Sequence, residues 1–166
     1  KERKLIIAAN WKMNKTVAEA LALVGDLKME LANVTDVDIV VCPPFTALCE
    51  VAKTLRDSNI RLRAQDMSEH NAGAYTGEIA AEMLKELSVR YVILGHSERR
   101  QLFGETDEQV AKKAKAALNL GITPLVCVGE TLAERDGGRT EGVIVRQLGP
   151  VLEALESTEW GRVALA

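Results

Sequence analysis

The sequence predicts an α/β fold built on a parallel sheet, and three observations carry that prediction. Short apolar runs alternate with longer segments of helical periodicity, five times over, before a sixth run begins. Each short run is apolar on both faces, as a sheet covered by helices on its two sides requires. No glycine-rich dinucleotide fingerprint follows the first run, and no GxxxxGK[ST] loop occurs. Two architectures answer to the alternation: an open doubly wound sheet, and part of an eight-stranded βα barrel. The missing fingerprint counts against the first.

The first run, Leu5-Ile6-Ile7-Ala8-Ala9, reads as a buried strand. Thr16 opens a helix, with Glu19 three residues later completing a capping box, and Val17, Leu21, Val24, Leu27 and Leu31 follow at helical spacing. Ile39–Cys42 is the second strand, ended by Pro43-Pro44. Leu48, Ala52 and Leu55 mark one face of a short helix, and Ile60–Ala64 is a third, weaker strand. A polar loop runs from Gln65 to about Tyr75, and helix resumes through Ile79, Met83, Leu84 and Leu87. Tyr91–Leu94 is the fourth strand. Thr106 with Gln109 forms another capping box, on a helix that stops at Gly121, a natural C-cap. Ile122–Val128, with Pro124 near its start, is the fifth strand. Beyond the Gly137-Gly138 loop, a helix from Thr140 to Leu155 carries Val143, Gln147, Leu148, Val151 and Leu155, and Gly149-Pro150 inside it suggests a kink. Arg162–Ala166 begins a sixth strand.

The 166 residues fit one domain large enough to bury a real core, with 47% apolar and 27% charged residues, a soluble globular profile. A net charge of −3 gives no basic footprint for nucleic acid. No apolar stretch approaches a membrane span. The charged start, Lys1-Glu2-Arg3-Lys4, precedes an apolar run too short for a signal peptide. Cys42, Cys49 and Cys127 match neither a disulfide framework nor a zinc pattern, and read as reduced thiols packed as small apolar groups in a cytoplasmic protein.

In parallel α/β folds, chemistry gathers where strands run out into the loops that follow them. Those positions hold Asn10-Trp11-Lys12 after the first strand, Gln65-Asp66 after the third, Gly95-His96-Ser97-Glu98-Arg99-Arg100 after the fourth and Cys127-Val128-Gly129-Glu130 after the fifth. Lys12 reads either as a solvated loop lysine or, beside Asn10, as a cation able to bind an anion and polarise a carbonyl. His96, one of two histidines, reads either as a side chain satisfying nearby backbone or as a functional imidazole. Gly95 lets the chain turn closely there, Ser97 is placed to cap the next turn, and the start of a helix favours the neutral ring. Glu98, Arg99 and Arg100 read as a fixed ion-pair network, and His70 as solvent-facing. The residues alone imply a site at the strand tips with one cation, one amide and one imidazole, suited to a small anion. They show no metal cluster and no nucleophile–base pair.

Four segments, AANWKMN at 8–14, GAYTGEI at 73–79, YVILGHSERR at 91–100 and PLVCVGETLAER at 124–135, together resemble the triosephosphate isomerase family, in family order and across nearly the whole chain. The resemblance implies the (β/α)8 TIM barrel, of which residues 1–166 would be a single N-terminal portion: the first five βα units and the sixth strand. It implies interconversion of dihydroxyacetone phosphate and glyceraldehyde 3-phosphate through an enediolate, with no cofactor and no metal. It makes Asn10 and Lys12 the substrate-binding pair, His96 the electrophile, Glu98 the brace of the lysine, Cys127 a packing residue near the site, and Thr76 the residue that reaches into the neighbouring subunit of a homodimer. The family's general base is a glutamate after the sixth strand, and no glutamate of this chain occupies that place. Barrels of this type run to about 250 residues, so the sequence reads as a partial barrel, inactive alone, whose partners are a phosphorylated triose and a complementary C-terminal portion. A catalytically silent assembly module and a barrel that only binds phosphorylated sugars are the other two readings.

Overall fold

A computed structural model describes residues 5–166; Lys1-Glu2-Arg3-Lys4, on which the signal-peptide expectation bears, lies outside them. In chain order the elements are β1 (Leu5–Asn10), α1 (Val17–Glu30), β2 (Val37–Cys42), α2 (Phe45–Thr54), β3 (Ile60–Ala64), α3 (Ala81–Glu86), β4 (Tyr91–Leu94), α4 (Ser97–Phe103), α5 (Asp107–Asn119), β5 (Thr123–Val126), α6 (Leu132–Asp136), α7 (Thr140–Ala154), a 3-10 turn (Trp160–Arg162) and β6 (Ala164–Leu165). The strand–helix alternation places the chain in the α/β class. Two compact units are formed: the described residues up to Gln65 with Met83–Tyr91, and Asp66–Glu82 with Val92–Ala166.

In the first unit β1, β2 and β3 pair in parallel, with Leu5 opposite Val37, Asn10 opposite Cys42 and Ile39 opposite Ile60. β2 is the core strand, and Ile39, Val40, Val41 and Cys42 are all buried. β1 is a strand, as expected, but not a buried one: Leu5 is 70% and Ile7 60% exposed. In this unit β1 has a hydrogen-bonded neighbour, β2, on one side, and these side chains stay largely uncovered. α1 starts at its capping box, where Thr16 N–H donates to Glu19 Oε2 at 2.7 Å and Glu19 N–H to Thr16 Oγ1 at 3.4 Å. It buries Ala20 and Val24 and leaves Val17 exposed. α2 buries Ala47, Leu48 and Val51, with Leu55 at its end, and Ala52 is half-buried. Cys49, expected to pack, is exposed, because it turns away from the Leu48–Val51 face. β3 is regular, and Arg63 on it stacks its guanidinium over the Tyr91 ring, 4.9 Å from the centroid.

α3 is shorter than the predicted helix. It ends in a Schellman turn, with Ser88 N–H on Lys85 O (2.9 Å) and Val89 N–H on Leu84 O (3.1 Å). The left-handed position of that turn is Ser88, at φ 59°.

In the second unit Cys127 N–H donates to Leu94 O of β4 at 2.8 Å, and β5 pairs in parallel with β6 through Leu125–Ala164 and Val126–Leu165. β5 is shorter than expected, and so is β6. Arg162, assigned to the sixth strand from sequence, lies in the 3-10 turn, where its Nη2 donates to Leu118 O at 2.8 Å. α5 begins at the predicted Thr106/Gln109 box, buries Val110, Ala114 and Ala117, and packs against α7 and β5. α7 continues past Pro150 to Ala154. α6 was not foreseen, although Thr131 and Glu134 close a third capping box at its start.

α5 ends as a Schellman turn of the same design as α3, with Gly121 N–H on Leu118 O (3.1 Å) and Ile122 N–H on Ala117 O (2.9 Å), but here glycine holds the left-handed place at φ 78°. A Cβ at Gly121 would meet open space, so only the backbone conformation opposes a side chain. Gly121→Ala is therefore expected to lower stability by about 1 kcal/mol, read as a lower urea midpoint with an unchanged m-value.

Candidate functional site

The first strand tip is built around Lys12. This exposed lysine sits in left-handed backbone, at φ 53°. Such a conformation costs a non-glycine residue roughly 1–2 kcal/mol and persists where neighbours over-determine it. Here they do. Lys12 N–H donates to Asn10 Oδ1 at 3.0 Å, and Gln65 Nε2 donates both to Lys12 O at 2.9 Å and to Cys42 O at 2.8 Å. Asn14 Nδ2 reaches back to Trp11 O at 2.8 Å. Asn10 and Lys12 are thus brought together as expected, and the Asn10 carbonyl oxygen holds the lysine's backbone. The sequence places Gln65 at a strand tip without indicating a role; its position directly after β3 is the available signal.

The second strand tip is built around Gly95 and His96. Gly95 turns the chain at φ 69°, and a Cβ there would lie 2.8 Å from Arg100 Nη2 and 2.9 Å from Val110 Cγ2. Its N–H donates to Glu105 Oε2 at 3.1 Å, and its carbonyl accepts from Arg100 Nε at 2.7 Å. Both peptides flanking Gly95 are therefore clamped. His96, not Ser97, is the N-cap of α4: its Nδ1 accepts from Glu98 N–H at 3.2 Å. The serine falls inside the first turn because the imidazole already satisfies that donor. An Nδ1 that accepts carries no proton, so the neutral ring holds its hydrogen on Nε2 and presents a donor there. The Glu98 carboxylate is 3.5 Å from the same Nδ1.

Arg99 and Arg100 belong to ion pairs, as expected, but their partners escaped the sequence reading. Arg99 Nε lies 2.9 Å from Asp66 Oδ2 and 3.3 Å from Glu105 Oε1. Lys113 Nζ lies 2.9 Å from Asp66 Oδ1 and also bonds Glu105. Two cations and two carboxylates thus form a charge-balanced quartet, in which Glu105 and Lys113 are buried. Lys113 shares the α5 face of Val110, Ala114 and Ala117, and a lysine on an apolar face was the signal for it. Arg100 pairs with Asp107 and donates from Nη2 to Cys127 O at 3.3 Å, so half-buried Cys127 is tied in through its backbone.

Burial raises the Asp66 carboxyl above its ordinary 3.8, with Glu105 adding to the rise and Lys113 and Arg99 opposing it. A raised carboxylate makes the folded state hold its proton more firmly than the unfolded chain. Stability from this group therefore increases as pH falls through the folded value toward 3.8. Asp66→Asn is expected to lose stability on acidification more steeply than the parent just above that pH, as followed by urea midpoints across the acid range.

Thr76 lies in an exposed loop, in which Tyr75 N–H bonds Gly73 O at 3.0 Å and Glu78 N–H bonds Tyr75 O at 3.0 Å. His70 is exposed, as expected, and stacks on Tyr75 with ring centroids 3.8 Å apart. Among the described residues, no three His, Cys, Asp or Glu side chains are grouped to hold a metal ion, and no helix is long and apolar enough to cross a membrane.

Comparison with known proteins adds an independent finding. A family model described as triosephosphate isomerase matches residues 5–166. The triosephosphate isomerase of Alkaliphilus metalliredigens is 55% identical over 153 residues, covering 92% of this chain and 61% of the relative. That of Herpetosiphon aurantiacus is 51% identical over 164 residues, covering 99% of this chain and 66% of the relative. That of Symbiobacterium thermophilum is 48% identical over 164 residues, covering 99% and 64%. The chain spans somewhat less than two thirds of the length of these relatives.

Proposed function

This chain belongs to the triosephosphate isomerase family, and we propose that the protein interconverts dihydroxyacetone phosphate and glyceraldehyde 3-phosphate by proton transfer through an enediolate, without cofactor or metal. Family membership supports the (β/α)8 barrel over the doubly wound sheet, and in this reading the chain is a single-domain N-terminal portion of that barrel. The observation that carries the functional reading is the His96 hydrogen bond: Nδ1 is spent on Glu98 N–H, so Nε2–H is the hydrogen the ring offers.

Enolisation places negative charge on substrate oxygens, and a preorganised donor aimed at that charge lowers the barrier because it needs no reorientation during reaction. In this reading His96 donates to those oxygens, Lys12 supplies positive charge near the oxygens and the phosphate, and Asn10 binds substrate while holding the lysine's backbone. Glu98 braces Lys12, and Cys127 supports the loop through its carbonyl. The general base is a carboxylate from the part of the family's length that this chain does not span. A polypeptide of these 166 residues is then inactive until the remaining strands are supplied. Thr76 reaches into a second subunit of a homodimer. The setting is cytoplasmic, in glycolysis and gluconeogenesis.

The test is a coupled assay of triose phosphate interconversion on this polypeptide, with and without a polypeptide carrying the remaining strands. Activity only on mixing supports the proposal; family-like turnover by these residues alone contradicts the assignment of the base. A second reading, a silent partial barrel that assembles without turnover, is favoured by the exposed Leu5, Ile6 and Ile7 of β1 and Leu165 of β6, because exposed apolar strands invite pairing. Tight association with no turnover would select it. Ligand binding without turnover in a full-length chain would instead select a barrel that only binds phosphorylated sugars.

A further inference from the structure

The first unit contains a cavity that the isomerase reading does not use. It has a volume of about 420 Å³ and lies among the end of α2, the start of β3 and the turn after α3, whereas Asn10 ends β1 and Lys12 follows it. Its size falls within the roughly 300–1,000 Å³ of small-molecule sites. Buried Leu55, Ile60 and Leu62 contribute an apolar lining. Lys53, Arg56, Arg61 and Arg90 contribute four cations, against Glu86 as the one carboxylate of the lining. In a chain of net charge −3 this is a local reversal of sign.

Neighbouring carboxylates account for only part of it. Lys53 pairs with Glu50 at 2.6 Å, and Arg61 Nε is 4.0 Å from Asp38. Arg56 and Arg90 have no carboxylate partner among the described residues. Compensation of a helix C-terminus accounts for part as well. Lys53 and Arg56 stand at the end of α2, but Arg61 is on β3 and Arg90 precedes β4. Arg90 is delivered to the cavity by the Schellman turn at Ser88, itself a lining residue held in left-handed backbone.

We propose that this cavity binds a phosphate monoester carrying a flat apolar body, the chemistry of a nucleoside monophosphate. Guanidinium groups match phosphate oxygens in planar, two-point hydrogen bonds, and the leucine and isoleucine surface takes the apolar body. Asn59, also in the lining, directs its amide N–H groups to Leu31 O and Val34 O, and its Oδ1 is the acceptor it offers a ligand hydroxyl.

Cys49 lines the same cavity with an exposed thiol, which makes occupancy measurable without activity. The experiment follows alkylation of Cys49 by iodoacetamide, resolved from Cys42 and Cys127 by peptide mapping, with adenosine monophosphate as the probe. At about 1 mM probe the rate is expected to fall at least about threefold. Adenosine should protect much less, and added salt should weaken the protection. R56E/R90E should abolish it, and Arg90→Gln should weaken it without a change in circular dichroism. Lys12→Ala should leave it intact, which separates this cavity from the strand-tip chemistry, so failure of either reading is distinguishable. An unchanged rate, equal protection by adenosine, protection surviving R56E/R90E, or protection lost in Lys12→Ala would each overturn the proposal.

Discussion

Glu105→Ala is expected to lower the unfolding free energy by about 3–5 kcal/mol, a large share of the roughly 5–15 kcal/mol that holds a typical domain folded. Glu105 is the hub of the second unit's polar interior. One oxygen serves Arg99 and Lys113, and the other accepts the Gly95 N–H. Its removal leaves Lys113 buried with Asp66 as its remaining carboxylate and strands the Gly95 N–H without a partner. The cost arises from these orphaned groups more than from the lost attraction. Glu105→Gln keeps an acceptor for Gly95 and should fall between alanine and the parent. Urea denaturation of the three proteins gives the order, and equal midpoints for alanine and parent would show that the quartet carries no stability.

His96→Ala is expected to cut triose phosphate turnover by about 10²–10³-fold where that turnover is measured, the usual effect of deleting one donor to developing oxyanion charge. The fold should persist, because the ring is partly exposed and the lost cap is worth only about 1 kcal/mol. His96→Asn is the informative companion: it restores a side-chain acceptor for the Glu98 N–H but not a donor at the position of Nε2. If capping were the role of His96, asparagine would rescue; if hydrogen-bond donation to the oxyanion is the role, turnover stays low with α4 intact. A near-normal rate in His96→Ala would refute the assigned role.

Much of this was legible in the sequence because the signals were local. Two capping boxes and the Tyr91–Leu94 strand depend on residues within a few positions of one another, and the structure has them. The unread parts depend on distance along the chain. Nothing near Glu105 announces that it will meet Gly95, ten residues earlier, nor does Asp66 announce Lys113, 47 residues later. The Gln65 amide that clamps Lys12 has the same character, at a separation of 53 residues. Burial of β1 was misjudged for the opposite reason: composition reports what a segment would bury, and only its neighbours decide whether it does. Ser97 stands where a hydroxyl could cap the next turn, but the His96 nitrogen serves that geometry instead.

The three capping boxes also set an order of unravelling in acid. Two are closed by glutamate: backbone N–H groups of Thr16 and Thr131 hold Glu19 and Glu134 below the ordinary carboxylate range, so each clasp holds above 4.5 and fails as pH drops through its lowered value. The third is closed by Gln109, which has no proton to gain. Acidification should therefore loosen the first turns of α1 and α6 while α5 keeps its start, and amide hydrogen exchange would rise at Thr16 and Thr131, whose N–H groups donate to the glutamates, before Thr106, whose N–H donates to Gln109. The helix that carries Lys113 would be the last of the three to fray.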